Sequence, residues 1–105
     1  MGSVGRFAPS PTGELHRGSL IAALGSWLDA KSSPDGQWLL RIEDLDVARV
    51  RADSEASILA TLSAFGFEWP QPPWRQSSRL ERYQHALTQL QRRIPLFHCQ
   101  CSRRQ

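Results

Sequence analysis

Lysine is almost absent from this sequence: Lys31 stands alone, and arginine supplies the other twelve of thirteen basic side chains. Cysteine is nearly as scarce, with only Cys99 and Cys101, which excludes a disulfide-stapled scaffold and makes each thiol a candidate ligand instead. No apolar run approaches the ~20 residues of a membrane-spanning helix, so no membrane partner is expected. The opening MGSVGRFAPS lacks the basic-then-apolar order of a secretion signal, and the expected location is cytoplasmic. Two phosphate and metal patterns are also missing. Without G-x-x-x-x-G-K-[ST] there is no P-loop, and without D-x-D-x-D-G a calcium loop has little support. Internal repeats and low-complexity stretches are lacking too.

What is present fits one soluble domain. The 105 residues are 40% hydrophobic and 22% charged, and a chain of this size buries roughly two-thirds of its unfolded surface on folding. The net charge of +3 is unevenly spread: residues 1–52 hold six basic and six acidic side chains, residues 53–105 seven and four. The excess gathers at Arg92, Arg93, Arg103 and Arg104, where it suits phosphate contacts, although a general preference for arginine would give the same count.

Read in order, Ser3 to Ala8 is a short strand that ends at Pro9 and Pro11, which cannot donate to a ladder. From Gly18 the period changes, and Leu20, Ile21, Leu24, Trp27 and Leu28 mark the apolar face of a helix running to Lys31. Pro34-Asp35-Gly36 is a turn, and Trp38 to Ile42 a mostly buried strand. Strand, helix and strand in about forty residues predict a right-handed parallel βαβ unit over about 3–46, with ligands outside the carboxyl ends of the strands. A second helix is expected over 52–65, capped by Asp53 or Ser54, with Ile58, Leu59, Leu62 and Phe65 inward and Gly66 at its end. Residues 67–78, with three prolines and two tryptophans, read as an irregular surface segment. A third helix, 79–93, should turn Leu80, Tyr83, Leu87, Leu90 and Ile94 inward and stop at Pro95.

The residues that could do chemistry cluster at the first turn. Between strand and helix lies Pro9-x-Pro11-x-Gly13-x-x-His16-x-Gly18-Ser19. A helix N-terminus with a glycine offers unpaired N–H groups to an anion, and His16 beside it suits a triphosphate gaining charge at its α-phosphorus. A histidine that merely starts a helix is the plainer alternative. Arg6 and Ser10 flank the turn, and Arg6 suits either a ligand carboxylate or a neighbouring acid such as Glu43. Glu43, Asp44 and Asp46 follow a buried strand and could bind a metal, cap the next segment or hold a substrate ammonium, the last two being preferred. Cys99 and Cys101 make half of a tetrahedral zinc site, with His98 a third ligand only if the backbone curls.

Taken together, RFAPSPTGELHRGS, LIAALGSWLDA and LLRIEDLD resemble the HIGH region and following strand of class I aminoacyl-tRNA synthetases in their glutamate-activating branch. Agreement is close over about 4–51 and looser beyond. GELHRGSLIAALGSWLDA with the later CQC is more similar to the short glutamyl-Q tRNA(Asp) synthetases than to full-length glutamyl-tRNA synthetases, which more often read HVGGARTALFNWLFA. The resemblance implies an α/β fold, the N-terminal half of a Rossmann-like class I synthetase catalytic domain, with residues 47–95 as a helical and loop segment and 96–105 as the start of a zinc-binding segment. It implies a monomeric ligase that activates glutamate with ATP, accompanied by Mg2+, and transfers it to queuosine in the anticodon of tRNA(Asp). By position, Arg6, Ala8, Ser10 and Glu43 would hold glutamate, and Pro9, His16 and Gly18 would lie on ATP. His16, Gly18 and Ser19 would be catalytic, Ser19 standing where some class I enzymes have a second His, and Cys99 and Cys101 would begin a zinc site. The family's KMSKS-type lysine motif has no counterpart after Lys31, so a truncated chain, inactive alone, is expected. The alternatives are the same portion of an ordinary glutamyl-tRNA synthetase, or a non-catalytic nucleotide-, zinc- or RNA-binding remnant.

Overall fold

In a computed structural model, which describes residues 2–104, three strands form one parallel sheet in the order β1 (Val4–Phe7), β2 (Gln37–Ile42), β3 (Trp74–Arg75). Helix α1 (Arg17–Lys31) joins β1 to β2, and α2 (Ser54–Ala64) lies between β2 and β3. A single 3-10 turn (Gln76–Arg79) then leads into α3 (Leu80–Gln91). The parallel βαβ unit is as expected. Arg6 pairs with Leu39 and Phe7 with Leu40 across β1 and β2, while Arg41 pairs with Trp74 across β2 and β3.

Alternation along β2 gives the sheet two different faces. Trp38, Leu40 and Ile42 are buried on one side, and Trp38 stacks between Phe7 and Phe67 with ring centroids 6.1 and 5.3 Å away. Ala23 and Ala30 of α1 and Ile58 and Leu62 of α2 complete this core. Full burial of each large aliphatic side chain stabilises by about 1.5–3 kcal/mol. The other face carries Arg6, Leu39, Arg41 and Trp74.

The structure corrects four expectations. The inward stripe of α1 is Leu20, Ala23, Trp27 and Ala30, whereas Ile21, Leu24 and Leu28 are exposed. Small residues win the inner positions because the helix sits close against β1: a Cβ on Gly5 would lie 2.8 Å from the Ser26 carbonyl oxygen and 3.0 Å from the Ala30 Cβ. In α2, Ile58, Leu59 and Leu62 face the core as expected, but Phe65 is 67% exposed. Gly66, at φ 86°, turns the chain so that Phe67 enters the core in its place. Asp53 occupies the N-cap position of α2 without a side-chain cap bond. The segment after α2 is less irregular than its prolines suggest, since Trp74 and Arg75 pair as a third strand.

The fourth correction concerns α3. Leu80, Leu87, Leu90 and Ile94 are 43–55% exposed, not inward. The helix stands off the sheet, and the radius of gyration reflects it: 16.5 Å against about 13 Å for a compact domain of this length. A 3.5-residue period fixes that a helix has an apolar stripe but not what the stripe lies against.

Candidate active site

The first turn is built by its prolines. Pro9 and Pro11 are buried, and their carbonyls act as anchors: Glu43 N–H donates to the Pro9 oxygen at 2.9 Å and Arg51 N–H to the Pro11 oxygen at 3.0 Å. Residues without an N–H thus bind through the one backbone group they retain. These two bonds fasten the carboxyl end of β2, and the segment before α2, to the turn that follows β1. Glu43 is thereby held beside Ala8 to Ser10, at the end of the sheet where ligands of parallel α/β folds sit.

His16 caps α1. Its ring Nδ1 accepts from the Ser19 N–H at 3.1 Å, and Leu20 N–H donates to the His16 carbonyl at 3.1 Å. Because Nδ1 accepts, the neutral ring carries its proton on Nε2, and that N–H donates to Ser19 Oγ at 3.1 Å. The helix end retains the N–H groups of Arg17 and Gly18, which have no intrahelical acceptor. Gly18 keeps the approach open, since a Cβ there would stand 3.0 Å from the His16 ring. Around this end lies an open cleft of about 480 Å³, whose lining includes Ala8, Pro9, Ser10, His16, Gly18 and Ser19.

Two sequence-selected residues fall elsewhere. Arg6 points to the second face of the sheet, where it lines a pocket of about 160 Å³ with Leu39, Arg41 and Trp74. Glu43 belongs to neither hollow. Its carboxylate is paired with Arg41 at 2.8 Å, both side chains about one-third exposed, so the partner is Arg41 rather than Arg6. Arg41 and Trp74 were not singled out from the sequence. Period-two counting from Leu39 would have put Arg41 on the face of Arg6, but Trp74 needed the unforeseen third strand.

The acidic group divides its labour. Asp44 accepts from both the N–H (2.8 Å) and the hydroxyl (2.6 Å) of Ser77, thirty-three residues away, and so ties the end of β2 to the 3-10 turn. Burial pushes the Asp44 carboxyl up, but the Ser77 bonds, its own backbone N–H and the Arg75 charge together hold it below its ordinary value. Asp46 pairs with Arg49 at 3.4 Å on the surface. A carboxylate with a depressed folded-state pKa adds stability above its unfolded pKa and loses it as pH falls through the folded value. Asp44→Asn should therefore lower stability by about 1–2 kcal/mol at pH 7, with the gap from wild type closing below pH 4, as measured by urea unfolding across pH.

Cys99 and Cys101 are exposed free thiols, and hydrogen bonds from the Cys101 backbone and side chain hold the Cys99 thiol below its ordinary range. Among the described residues no group of three or more His, Cys, Asp or Glu is placed to hold a metal ion. The pair offers two thiolates of the four ligands that a closed zinc site requires, so these residues do not by themselves fit a complete site.

A parallel sheet fastened to a proline turn, with a glycine-containing helix end beneath an open cleft, defines an α/β protein of the Rossmann-like type. The family profile for the catalytic domain of class I tRNA synthetases (E and Q) matches residues 4–105, and the chain belongs to that family of ligases. A glutamyl-Q tRNA(Asp) synthetase of Aromatoleum aromaticum is 53% identical over 102 residues, 97% of this chain and 32% of the relative. The chain thus spans about one-third of the length of the curated relatives it matches. Among solved structures, a glutamate tRNA ligase of Elizabethkingia meningosepticum in complex with its amino acid is similar, with TM-score 0.78 and 37% identity, covering 88% of this chain and 20% of its own. The glutamate-tRNA synthetase of Elizabethkingia anophelis gives TM-score 0.81 at 36% identity over the same shares. In the described residues no helix is long and apolar enough to cross a membrane.

Proposed function

We propose that this chain is the N-terminal part of the catalytic domain of a glutamyl-Q tRNA(Asp) synthetase, contributing one side of the site where glutamate and ATP meet. Residues 3–46 are the ligand-binding βαβ unit, 47–95 a helical and loop segment, and 96–105 the start of a zinc-binding segment. The observation that carries this reading is the pair of bonds from Glu43 and Arg51 to the Pro9 and Pro11 carbonyls. They hold an acid, a serine and a helix end together at the ligand end of the sheet. The greater identity to glutamyl-Q tRNA(Asp) synthetases, 53% against 36–37% for the glutamate-tRNA ligases, supports the short branch over the full-length one.

The glutamate carboxylate attacks the α-phosphorus of ATP. The new bond joins carboxylate oxygen to phosphorus, the bond to the bridging oxygen breaks, and pyrophosphate leaves with that electron pair. The N–H groups of Arg17 and Gly18 are donors aimed at the charge that gathers on phosphate oxygens, and His16 Nε2–H joins them by exchanging its bond to Ser19 Oγ for one to a phosphate oxygen. Ser19, in place by its bond to His16, holds the ring. Pro9 walls the nucleotide side of the cleft. Glu43 takes the substrate ammonium on the carboxylate oxygen that Arg41 leaves available, Ala8 and Ser10 line the approach, and Arg6 takes a carboxylate. Mg2+ would accompany ATP and screen its phosphates. The activated glutamyl group then passes to queuosine of tRNA(Asp), in the cytoplasm. Cys99 and Cys101 would supply two thiolates to a structural zinc, with no part in the chemistry. Titrating the labelled chain with a non-hydrolysable glutamyl-adenylate analogue tests the site, the amides of Arg17, Gly18 and Ser10 being the expected reporters.

A further inference from the structure

The backbone of Glu43 is fixed from three directions. Its N–H donates to the Pro9 carbonyl at 2.9 Å, Ile42 before it is fully buried, and Asp44 after it is tied to Ser77 by two hydrogen bonds. What remains free is the side chain, and a glutamate side chain loses rotamer freedom whenever it is ordered. One contact removes that freedom in the empty site: Arg41 Nη2 donates to Glu43 Oε1 at 2.8 Å.

The contact is single-ended. A guanidinium can grip both oxygens of a carboxylate as a fork, but here Nη2 meets Oε1 and leaves Oε2 for a ligand. The neighbouring acids are engaged elsewhere, Asp44 with Ser77, Asp46 with Arg49 and Glu55 with Arg75. No acid lines the hollow that Arg41 shares with Arg6. Stability does not account for an arginine at this place. Both side chains of the pair are about one-third exposed, where an ion pair adds little. Arg41 Nε is buried without an acceptor, and an orphaned buried donor costs at least as much as such a pair gains. What the arginine does achieve is a fixed Glu43.

We propose that Arg41 is a positioning residue for amino-acid recognition. It sets the Glu43 carboxylate before the substrate arrives, so that the substrate ammonium meets an acceptor already in place. The proposal rests on the reading of Glu43 as the ammonium's partner, and Arg41 acts only through Glu43. The opposite effect is physically available too, because a guanidinium beside the carboxylate repels an incoming ammonium. Exposure decides between them: solvent screens that repulsion, whereas the cost of ordering a long side chain is not screened.

The test compares two ligands that differ only in the amino group. They are the sulfamoyl analogue of glutamyl-adenylate and its glutaryl counterpart, which lacks the ammonium. Affinities are read from the Gly18 amide shift of the nitrogen-15 labelled 105-residue chain, since the nucleotide is common to both. Wild type should prefer the glutamyl compound by about 10–100-fold. Arg41→Gln should lower that preference by about fivefold or more, with glutaryl affinity within about threefold of wild type. A folding defect would instead weaken both ligands alike. In Glu43→Gln the preference should vanish, and adding Arg41→Gln to it should change nothing further. Arg41→Lys keeps the charge without the planar fork, should lose about threefold in preference, and gives the reading if the glutamine variant does not fold.

An undiminished preference in both Arg41 variants, a preference that rises in Arg41→Gln, or a further loss in the double variant would overturn the positioning role and leave Glu43 as the ammonium's partner. A wild type without preference between the two ligands would overturn that reading of Glu43 and this proposal together.

Discussion

His16→Ala should slow glutamyl-adenylate formation by about 10²–10³-fold, the effect of removing one positioned donor from a site of developing negative charge. The assay is glutamate-dependent ATP–pyrophosphate exchange in a protein that joins residues 1–105 to the remaining two-thirds of the Aromatoleum aromaticum relative. The structure gives this histidine a second task, because its Nδ1 accepts the Ser19 N–H and so caps α1. Losing a cap costs about 1 kcal/mol, and Ala alone would confound the two effects. His16→Asn separates them: asparagine is among the best N-caps but has no Nε2–H held by Ser19. Stability should return with Asn while exchange stays at least about tenfold down. If Asn restores exchange together with stability, His16 is a helix cap and nothing more.

Glu43→Gln should raise the KM for glutamate by about 10–100-fold while the KM for ATP changes less than about threefold. The warrant is the charge-assisted bond to the substrate ammonium, worth roughly 1.5–3 kcal/mol. The Arg41 pair sharpens the test. Arg41 spends one nitrogen on Glu43 at 2.8 Å, and its buried Nε has no partner, so a neutral amide at 43 also leaves a less compensated guanidinium. If Glu43 serves only Arg41, the variant will melt earlier with both KM values moving together. Only a selective loss of glutamate fits the proposed role.

Local rules were legible where a residue's chemistry acts at short range. Prolines that end β1, the Gly66 stop after α2 and the existence of β2 over Trp38 to Ile42 all follow from backbone geometry and composition. Failures came from packing between elements. Nothing in the sequence around Leu24 reveals that α1 rests on Gly5, which demands alanine at the contact and turns the leucines outward. Phe65 and Phe67 are two residues apart, and only the turn at Gly66 decides which one is buried. The tie from Asp44 to Ser77 spans thirty-three residues, beyond the reach of any local pattern, and it is what seats the two-residue strand at Trp74. In the site, the cleft brings six sequence-selected residues together because five lie in one eleven-residue motif and Ala8 adjoins it. Arg6 and Glu43 depend on strand register and on the competing Arg41, which the motif does not encode.

The central claim, that residues 1–105 carry a glutamate-and-nucleotide half-site, is tested most directly by a titration followed residue by residue. Nitrogen-15 labelled chain is titrated with a sulfamoyl analogue of glutamyl-adenylate, with the aspartyl analogue as control. The account predicts saturable amide shifts at Arg17, Gly18 and Ser19 for both compounds, through the shared nucleotide. It predicts shifts at Ser10 and Glu43 that are larger for the glutamyl compound and reduced by Glu43→Gln. Shifts scattered over α3 and the tail, or none at millimolar analogue in a folded chain, would contradict it.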